Sequence, residues 1–258
     1  VGRIPVHVGP VLALSDGYVW RPVRQDCAAG AGPSDPAPVL KAMEEQRLTL
    51  DTIIITHHHF DHTGGVAALK SAAGCRVIGP NNPKIFGIDE TMIEGTQVTV
   101  LGYDFQVMEV PGHTLDHIAY YNAKDETLFC GDTLFVGGCG RVFEGTFPMM
   151  QQSLAKLSDL PDATKVFCTH EYTLANLSFA RKVEPMNADL LAHIEICEQR
   201  RDDDLPTVPS TIGQELRINP FLRWHSPAVI EQLKEKGRHT GDAPAEVFGA
   251  VRGWKDEG

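Results

Sequence analysis

The sequence predicts an α+β fold in which two sheets pack together with helices outside, followed by a helical region. Three features predict it. Short apolar strands alternate with helical segments over the first two thirds of the chain, which is typical of layered α and β structure. From Thr173 onward the pattern changes to helices. Polar segments rich in histidine directly follow several strands, where active sites commonly gather.

The N-terminal elements are predicted from apolar alternation and turn residues. Apolar residues from Ile4 to Leu14 predict a first strand, and Ser15-Asp16-Gly17 predicts the turn after it. Tyr18-Val19-Trp20 begins a second strand. Residues 21–33 include Ala28-Ala29-Gly30-Ala31-Gly32, which has weak strand propensity. Whether a strand forms there is left open.

The remaining elements follow from hydrophobic periodicity. The β-branched run Ile53-Ile54-Ile55 belongs to a buried strand over 51–55, and residues 81–94 are expected to be irregular. The other predicted strands are 76–78, 97–101, 105–110, 118–121, 127–130 and 165–168. The predicted helices are 36–46, 66–73, 149–157, 174–183, 188–201, 228–236 and 243–255.

Charge and cysteine content limit the possible functions. The 258 residues carry a formal net charge of −11, which argues against a nucleic-acid-binding surface. An anionic substrate would therefore need a local basic cluster. The six cysteines form no C-x-x-C pair, and no signal peptide or membrane-spanning apolar run is visible. A cytoplasmic protein without disulfides is expected.

The segment Thr56–His62 supplies three usable imidazoles and a carboxylate immediately after the buried strand. These donors suit a divalent metal such as zinc rather than calcium or magnesium. Alternate side chains of an extended segment share a face, so His57 and His59 are expected to bind one ion together. Asp61 and His62 follow the turn and are assigned to a second ion.

Three later strand ends complete the predicted ligand set. His113 lies in a tight Pro-Gly turn, Asp132 follows strand 127–130, and His170 follows strand 165–168. We assign His57, His59 and His113 to one ion. Asp61, His62 and His170 then serve the other, with Asp132 spanning both. Open positions for water and substrate would remain, which marks a catalytic site. No ligand role is predicted for the remaining histidines, although His117 is a candidate for contact with a ligand.

The motifs THHHFDH, PGHT, GDTLF and THEYT, in this order and spacing, resemble the metallo-β-lactamase superfamily, and within it the glyoxalase II (hydroxyacylglutathione hydrolase) family. GDTLFVGGCGRVFEGT, HEYTLANLSFA, INPFLR and AVRGWKD extend the resemblance to the end of the chain. It implies an αββα sandwich with a binuclear metal site over residues 1–170, and a C-terminal helical glutathione-binding domain over 171–258.

The resemblance also implies substrate-binding positions. Arg141, Arg252 and Lys255 would bind the glycine carboxylate of glutathione, and Tyr172 would hydrogen-bond its backbone. Phe143 stands where some members have Tyr, so one substrate hydrogen bond, about 0.5–1.5 kcal/mol, would be absent. Gly17 replaces an expected Asn, and 21–33 lacks the expected apolar strand ending in Asp-Pro.

The resemblance implies a metal-dependent thioester hydrolase of methylglyoxal detoxification, which would convert S-lactoylglutathione to glutathione and D-lactate. A hydroxide shared by two cations would attack the thioester carbonyl, oriented by Asp61 as the catalytic residue. No protein nucleophile is required. Zinc is expected, with iron or manganese compatible, and the protein is expected to be a monomer.

Other functions stay open at this point. They are a β-lactamase or lactonase of the same superfamily, a mononuclear-iron persulfide dioxygenase, and an inactive metal- or glutathione-binding protein. An RNA-processing role is disfavoured by the acidity of the chain.

Overall fold

The computed structural model describes residues 7–13, 17–24 and 27–258. Ile4 and Val6 of the first predicted strand, and Ser15 and Asp16 of the predicted turn, lie outside these residues. The strands are β1 (His7–Ala13), β2 (Gly17–Arg24), β3 (Cys27–Ala31), β4 (Thr49–Ile54), β5 (Arg76–Pro80), β6 (Glu90–Met92), β7 (Gln97–Val100), β8 (Tyr103–Glu109), β9 (Ile118–Asn122), β10 (Thr127–Gly131), β11 (Leu134–Phe135), β12 (Gly138–Cys139), β13 (Lys165–Cys168) and β14 (Ser210–Thr211).

Helices alternate with these strands and then dominate after residue 170. They are α1 (Pro36–Gln46), α2 (Phe60–Thr63), α3 (Val66–Ala73), α4 (Phe147–Ser158), α5 (Thr173–Val183), α6 (Ala188–Asp202), α7 (Ile212–Ile218), α8 (Pro227–Glu235) and α9 (Pro244–Asp256). Among the described residues, no helix combines the length and apolar character needed to cross a bilayer. The predicted α+β class is confirmed.

The chain divides into two compact units, of which the first comprises Val1–Glu109 and Asp116–Gly131. Its first sheet has the order β1-β2-β3-β4-β5-β6, antiparallel from β1 to β3 and parallel from β3 to β6. Apolar side chains of β4, β5, α1 and α3 form one cluster that includes Val39, Ile53, Leu69 and Val77. Burial of this cluster fixes the strand that leads into the histidine segment.

Strand β3 resolves the question that the sequence left open. Cys27–Ala31 forms a strand that pairs with β2 and β4, although its composition has weak strand propensity. Ala28 and Ala29 are fully buried and Ala31 is 3% exposed. Pairing on both edges supplies the backbone hydrogen bonds, so neighbouring strands outweigh local propensity.

The second sheet of this unit is an antiparallel meander of β7, β8, β9 and β10. β9 and β10 are buried at every position. The Tyr120 hydroxyl donates to the carbonyl oxygen of Ile55 at 2.8 Å, and the Phe105 and Phe129 rings are 5.9 Å apart. The hydrogen bond from Tyr120 ties the meander to the residue that follows β4.

The second unit comprises Val110–Leu115 and Asp132–Gly258. It contains the β11–β12 hairpin, the antiparallel pair β13–β14 and helices α4 to α9. Leu177, Ala180, Leu190 and Ile218 belong to its apolar cluster. Helix α7 was not predicted, because its seven residues give too few turns for a clear helical period.

Candidate metal centre

The segment after β4 places four polar side chains close together within the first unit. His57 is fully buried, and its ring centroid lies 4.8 Å from that of His59 and 4.1 Å from that of His62. The short helix α2 carries Asp61 and His62, as expected for residues after the turn. His62 is 1% exposed. A shared metal ion would account for imidazoles this close together, because imidazole is a common metal ligand.

Two neighbours fix the ring of His57. The ring of His117 stacks on it at 4.5 Å with an interplanar angle of 16°, and Thr56 Oγ1 lies 3.1 Å from His57 Nδ1. His117 is therefore in contact with a predicted ligand, as the sequence had suggested. Gly131 has φ +51°, and a Cβ there would lie 2.6 Å from Thr56 Oγ1. A larger residue would disturb this support.

His58 has a different environment from its neighbours. Its Nδ1 lies 2.9 Å from Asp116 Oδ1, and Asn82 donates to the other oxygen of Asp116 at 2.8 Å. These contacts fix the His58 ring within the first unit.

The second unit contributes the donors predicted at later strand ends. His113 Nδ1 lies 2.7 Å from the carbonyl oxygen of Arg141. Donation from Nδ1 directs the other nitrogen, Nε2, toward a metal ion. Asp132 Oδ2 lies 3.6 Å from His113 Nε2 and 3.4 Å from His170 Nε2, while Thr169 donates to Oδ1 at 2.6 Å. One carboxylate oxygen of Asp132 thus faces both imidazoles.

The predicted ligands assemble into two groups. Ligand atoms within each group lie within 4.8 Å of one another. One group is His57, His59 and His113, and the other is Asp61, His62, Asp132 and His170. Imidazole and carboxylate donors in these numbers suit two divalent cations of the zinc, iron or manganese type. The residues present therefore fit a dimetal site.

Three predicted substrate-binding side chains lie beside donors of the second unit. The ring of Phe143 is 5.3 Å from that of His113, and the Arg141 guanidinium lies 5.8 Å from the Phe143 ring centroid. The Tyr172 ring stacks on His170 at 4.7 Å with an interplanar angle of 3°. All three side chains are exposed, Phe143 to 61% and Tyr172 to 39%. They can contact a ligand without rearrangement of the core.

Arg252 and Lys255, on α9, are more deeply placed. Arg252 is 4% exposed and donates to the carbonyl oxygen of Cys139 at 3.2 Å and to Asp256 Oδ1 at 2.8 Å. Lys255 donates to Asn176 Oδ1. Burial lowers the pKa of Lys255 to about 8, opposed by the neighbouring Cys139 and Asp256 and reinforced by Arg252. Lys255 is therefore the titratable member of this cationic group.

Sequence reasoning missed several residues that support these side chains. They are Thr169, which contacts Asp132; Asn176, which contacts Lys255; and Asp256, which contacts Arg252. Each stands within four residues of a predicted site residue, so proximity in sequence was the available signal. Partners of this kind cannot be chosen among neighbours without the fold.

Comparison with known proteins assigns the chain to a family over nearly its whole length. Residues 24–170 match the model of the metallo-beta-lactamase superfamily, and residues 171–258 match that of the hydroxyacylglutathione hydrolase C-terminus. A hydroxyacylglutathione hydrolase of Ectopseudomonas mendocina is 48% identical over 97% of this chain and 99% of its own. The hydroxyacylglutathione hydrolase of Chromohalobacter salexigens is 49% identical over 96% of this chain and 97% of its own.

Solved structures agree on the fold. The BLEG-1 B3 metallo-beta-lactamase superposes with a TM-score of 0.65 at 22% identity, covering 84% of this chain and 99% of that one. ETHE1 from Myxococcus xanthus superposes with a TM-score of 0.66 at 24% identity, covering 95% of this chain and 96% of that one. At these identities the likeness concerns the fold alone. The two family-model matches and the relatives that align over nearly the whole chain show that this protein belongs to the hydroxyacylglutathione hydrolases, a family of the metallo-β-lactamase superfamily.

Proposed function

We propose that this protein hydrolyses S-(2-hydroxyacyl)glutathione thioesters, chiefly S-lactoylglutathione, to glutathione and a 2-hydroxy acid, D-lactate, in methylglyoxal detoxification. The observation that carries the proposal is the pair of imidazole and carboxylate groups in a chain about 48% identical to hydroxyacylglutathione hydrolases. The β-lactamase, lactonase, persulfide dioxygenase and inactive-protein alternatives have no specific observation in their favour.

The ligand groups define what the metal centre would supply. His57, His59 and His113 would hold one divalent cation, and Asp61, His62, Asp132 and His170 the other, with zinc as the expected metal. When bound, such cations lower the pKa of water and polarise a carbonyl oxygen. The leaving thiol has a reference pKa of about 8.5, so it departs without a strong general acid.

Individual side chains take distinct roles in this proposal. Asp61 is the carboxylate that orients the attacking water, and its half-exposed side chain stays accessible to it. The Arg141 carbonyl holds the tautomer of His113, and Thr169 holds Asp132. None of these roles requires a protein nucleophile. Burial raises the pKa of the Cys139 thiol, which opposes thiolate formation there.

Substrate recognition is assigned to the cationic group of the second unit. Arg141, Arg252 and Lys255 would bind the glycine carboxylate, and Tyr172 would hydrogen-bond the peptide backbone. Phe143 offers only an apolar face. A protein with a net charge of −11 repels an anionic substrate overall. A local cationic cluster can still bind its carboxylate, because charge-assisted hydrogen bonds to a carboxylate are strong.

Several broader features complete the proposal. Residues 1–170 would form the metal-binding domain and 171–258 the helical glutathione-binding domain, in accord with the two family-model matches. We propose a cytoplasmic monomer that uses neither nucleic acid nor membrane. The structure joins no two of the six cysteines in a disulfide, and all six lie in its described part, which accords with a reducing compartment.

A hydrolysis assay with metal quantification on the same sample tests the proposal. Protein loaded with zinc should hydrolyse S-lactoylglutathione and contain two metal ions per chain. A penicillin, a homoserine lactone and glutathione persulfide serve as comparison substrates. Preference for any of these, or fully loaded protein without thioester turnover, would contradict the assignment.

A further inference from the structure

The β11–β12 hairpin lies in the chain between two parts of the candidate metal centre. Asp132 comes two residues before the hairpin, and Arg141, whose carbonyl oxygen contacts His113 Nδ1, comes two residues after it. Every residue of the hairpin is buried. Its conformation therefore sets the spacing between the Asp132 carboxylate and the Arg141 carbonyl, which both approach His113 within the second unit.

Two polar side chains of the α7 region hold the tip of this hairpin. Asn219 Nδ2 donates to the carbonyl oxygens of Phe135 at 3.2 Å and Gly138 at 2.9 Å. It also donates to Glu215 Oε2 at 2.9 Å, which accepts from the Gly137 amide at 2.8 Å. Asn219 and Glu215 are both fully buried. Together they bind backbone groups of three hairpin residues, Phe135, Gly137 and Gly138.

Two further side chains complete the contacts to the tip. Asn176 Nδ2 donates to the Val136 carbonyl oxygen at 3.1 Å, and Arg252 donates to that of Cys139 at 3.2 Å. Each residue from 135 to 139 is therefore hydrogen-bonded through its backbone to a side chain from the region 171–258. Within the hairpin, Leu134 pairs only with Cys139 and Phe135 only with Gly138. The side chains from region 171–258 therefore supply much of the hydrogen bonding that fixes the hairpin conformation.

The chemistry of Glu215 makes ordinary packing a poor explanation. Burial raises the pKa of its carboxyl to about 7, against the stabilising hydrogen bonds from Ser210, Gly137 and Asn219. Burying a carboxyl is unfavourable unless its contacts offset the desolvation. Two of these three hydrogen bonds come from the hairpin amide of Gly137 and from Asn219, which holds the hairpin.

We propose that Asn219 and Glu215 are positioning residues for the metal centre: they hold residues 135–139 in the conformation that places Asp132 and the Arg141 carbonyl around His113. The kinetic consequence rests on the proposed thioester hydrolysis. The expected effect on metal affinity does not rest on that function, because it depends only on how the metal ligands are positioned.

The experiment compares Asn219→Leu, Asn219→Ser and Glu215→Gln with wild type as full-length chains. Asn219→Leu removes the donors at similar size, and Asn219→Ser is the milder variant if the first does not fold. Glu215→Gln retains an oxygen that can accept from both donors, so it is the conservative variant. Asn187→Leu is the matched control, because Asn187 also makes side-chain hydrogen bonds, to Leu190 and Arg217, without contacting the hairpin.

Zinc affinity is measured by competition with a chromophoric chelator, beside kcat, KM and the melting temperature. Asn219→Leu or Asn219→Ser should weaken zinc binding about tenfold, as expected when support for a ligand is lost, and kcat at saturating zinc should fall more than KM changes. Glu215→Gln should stay near wild type. Asn187→Leu should lower only the melting temperature.

The inference is overturned if the Asn219 variants behave like Asn187→Leu, with zinc affinity and kcat intact. Wild-type protein that binds zinc but leaves S-lactoylglutathione intact would count against the proposed function alone. In that case the zinc affinities of the variants still decide the inference.

Discussion

Asp132 makes different contacts through its two carboxylate oxygens. Oδ1 accepts from Thr169, whereas Oδ2 lies between the Nε2 atoms of His113 and His170. The side chain is only 6% exposed, so its charge needs nearby compensation. A divalent cation beside Oδ2 would supply that compensation, and this makes Asp132 the most informative single position in the candidate centre.

Replacing Asp132 with Ala should remove both metal and activity. We expect lower metal content and a fall in kcat on the order of 100-fold or more, since even the loss of a partner behind a ligand costs about 10–100-fold. Metal analysis and thioester kinetics on one preparation measure this. Asp159→Ala, an exposed carboxylate at the end of α4, is the control. Unchanged metal content in Asp132→Ala would contradict the ligand assignment.

The lowered pKa of Lys255 predicts how substrate binding depends on pH. Its pKa is lowered by burial to about 8, so its amine is protonated below that pH and can bind a carboxylate, whereas above it the charge is lost. KM for the thioester should therefore rise as pH increases through about 8. Lys255→Arg stays charged and should flatten this part of the profile. A KM profile identical in both proteins would exclude Lys255 from carboxylate binding.

The same shift has a consequence for folding. The folded-state pKa of Lys255, about 8, lies below the ordinary value of 10.5, so the unfolded chain binds this proton more tightly between those values. The contribution of Lys255 to the free energy of unfolding therefore increases with pH across that window.

At the scale of elements, the turn between β8 and β9 positions His113. Gly112 has φ +151°, and a Cβ there would lie 2.6 Å from Met150 Sδ and 2.8 Å from Met150 Cα on α4. The second contact involves backbone, so it cannot be relieved by a rotamer change. The Pro-Gly step is thus required both by conformation and by the close approach of α4.

Gly112→Ala should displace His113 and reduce kcat about 100-fold, the effect that a misplacement near 1 Å can have. It should also lower the free energy of unfolding by about 1–3 kcal/mol through backbone strain. Gly74→Ala is the control, because Gly74 also has positive φ but has open space around its Cβ position. Kinetics and denaturant unfolding distinguish the two. Wild-type kcat in Gly112→Ala would refute this role for the turn.

Sequence patterns predicted some elements well and others poorly, for physical reasons. The strand before His57 was predictable because Ile53-Ile54-Ile55 is β-branched and buried. Strand β3 was not, because its Ala and Gly residues gain their strand conformation from partners on both edges. The candidate metal ligands could be named from the sequence because His and Asp side chains are metal donors wherever they occur, and these residues follow strand ends. Asn219 was not, because its role depends on which backbone groups the fold places beside it.

For the whole molecule, metal binding should contribute to stability. Ions held by residues from well-separated parts of the chain bind the folded state preferentially, and a ligand at 100 times its Kd stabilises by about 2.7 kcal/mol. Chelator-treated protein should therefore melt at a lower temperature than protein reloaded with zinc. Differential scanning calorimetry measures this, with magnesium addition as the control. Equal melting temperatures with and without zinc would contradict a centre built from folded-state geometry.

The hydrogen bonds to residues 135–139 also limit how this protein can be recombined. A chimera that replaced residues 171–258 with helices from another enzyme would leave backbone groups of residues 135–139 buried without their side-chain partners. Each orphaned group costs about 1–3 kcal/mol, which is a large share of the stability of an ordinary domain. A successful graft must therefore bring its own equivalents of Asn176, Glu215, Asn219 and Arg252, and new substrate specificity is more readily introduced by changing exposed side chains such as Phe143.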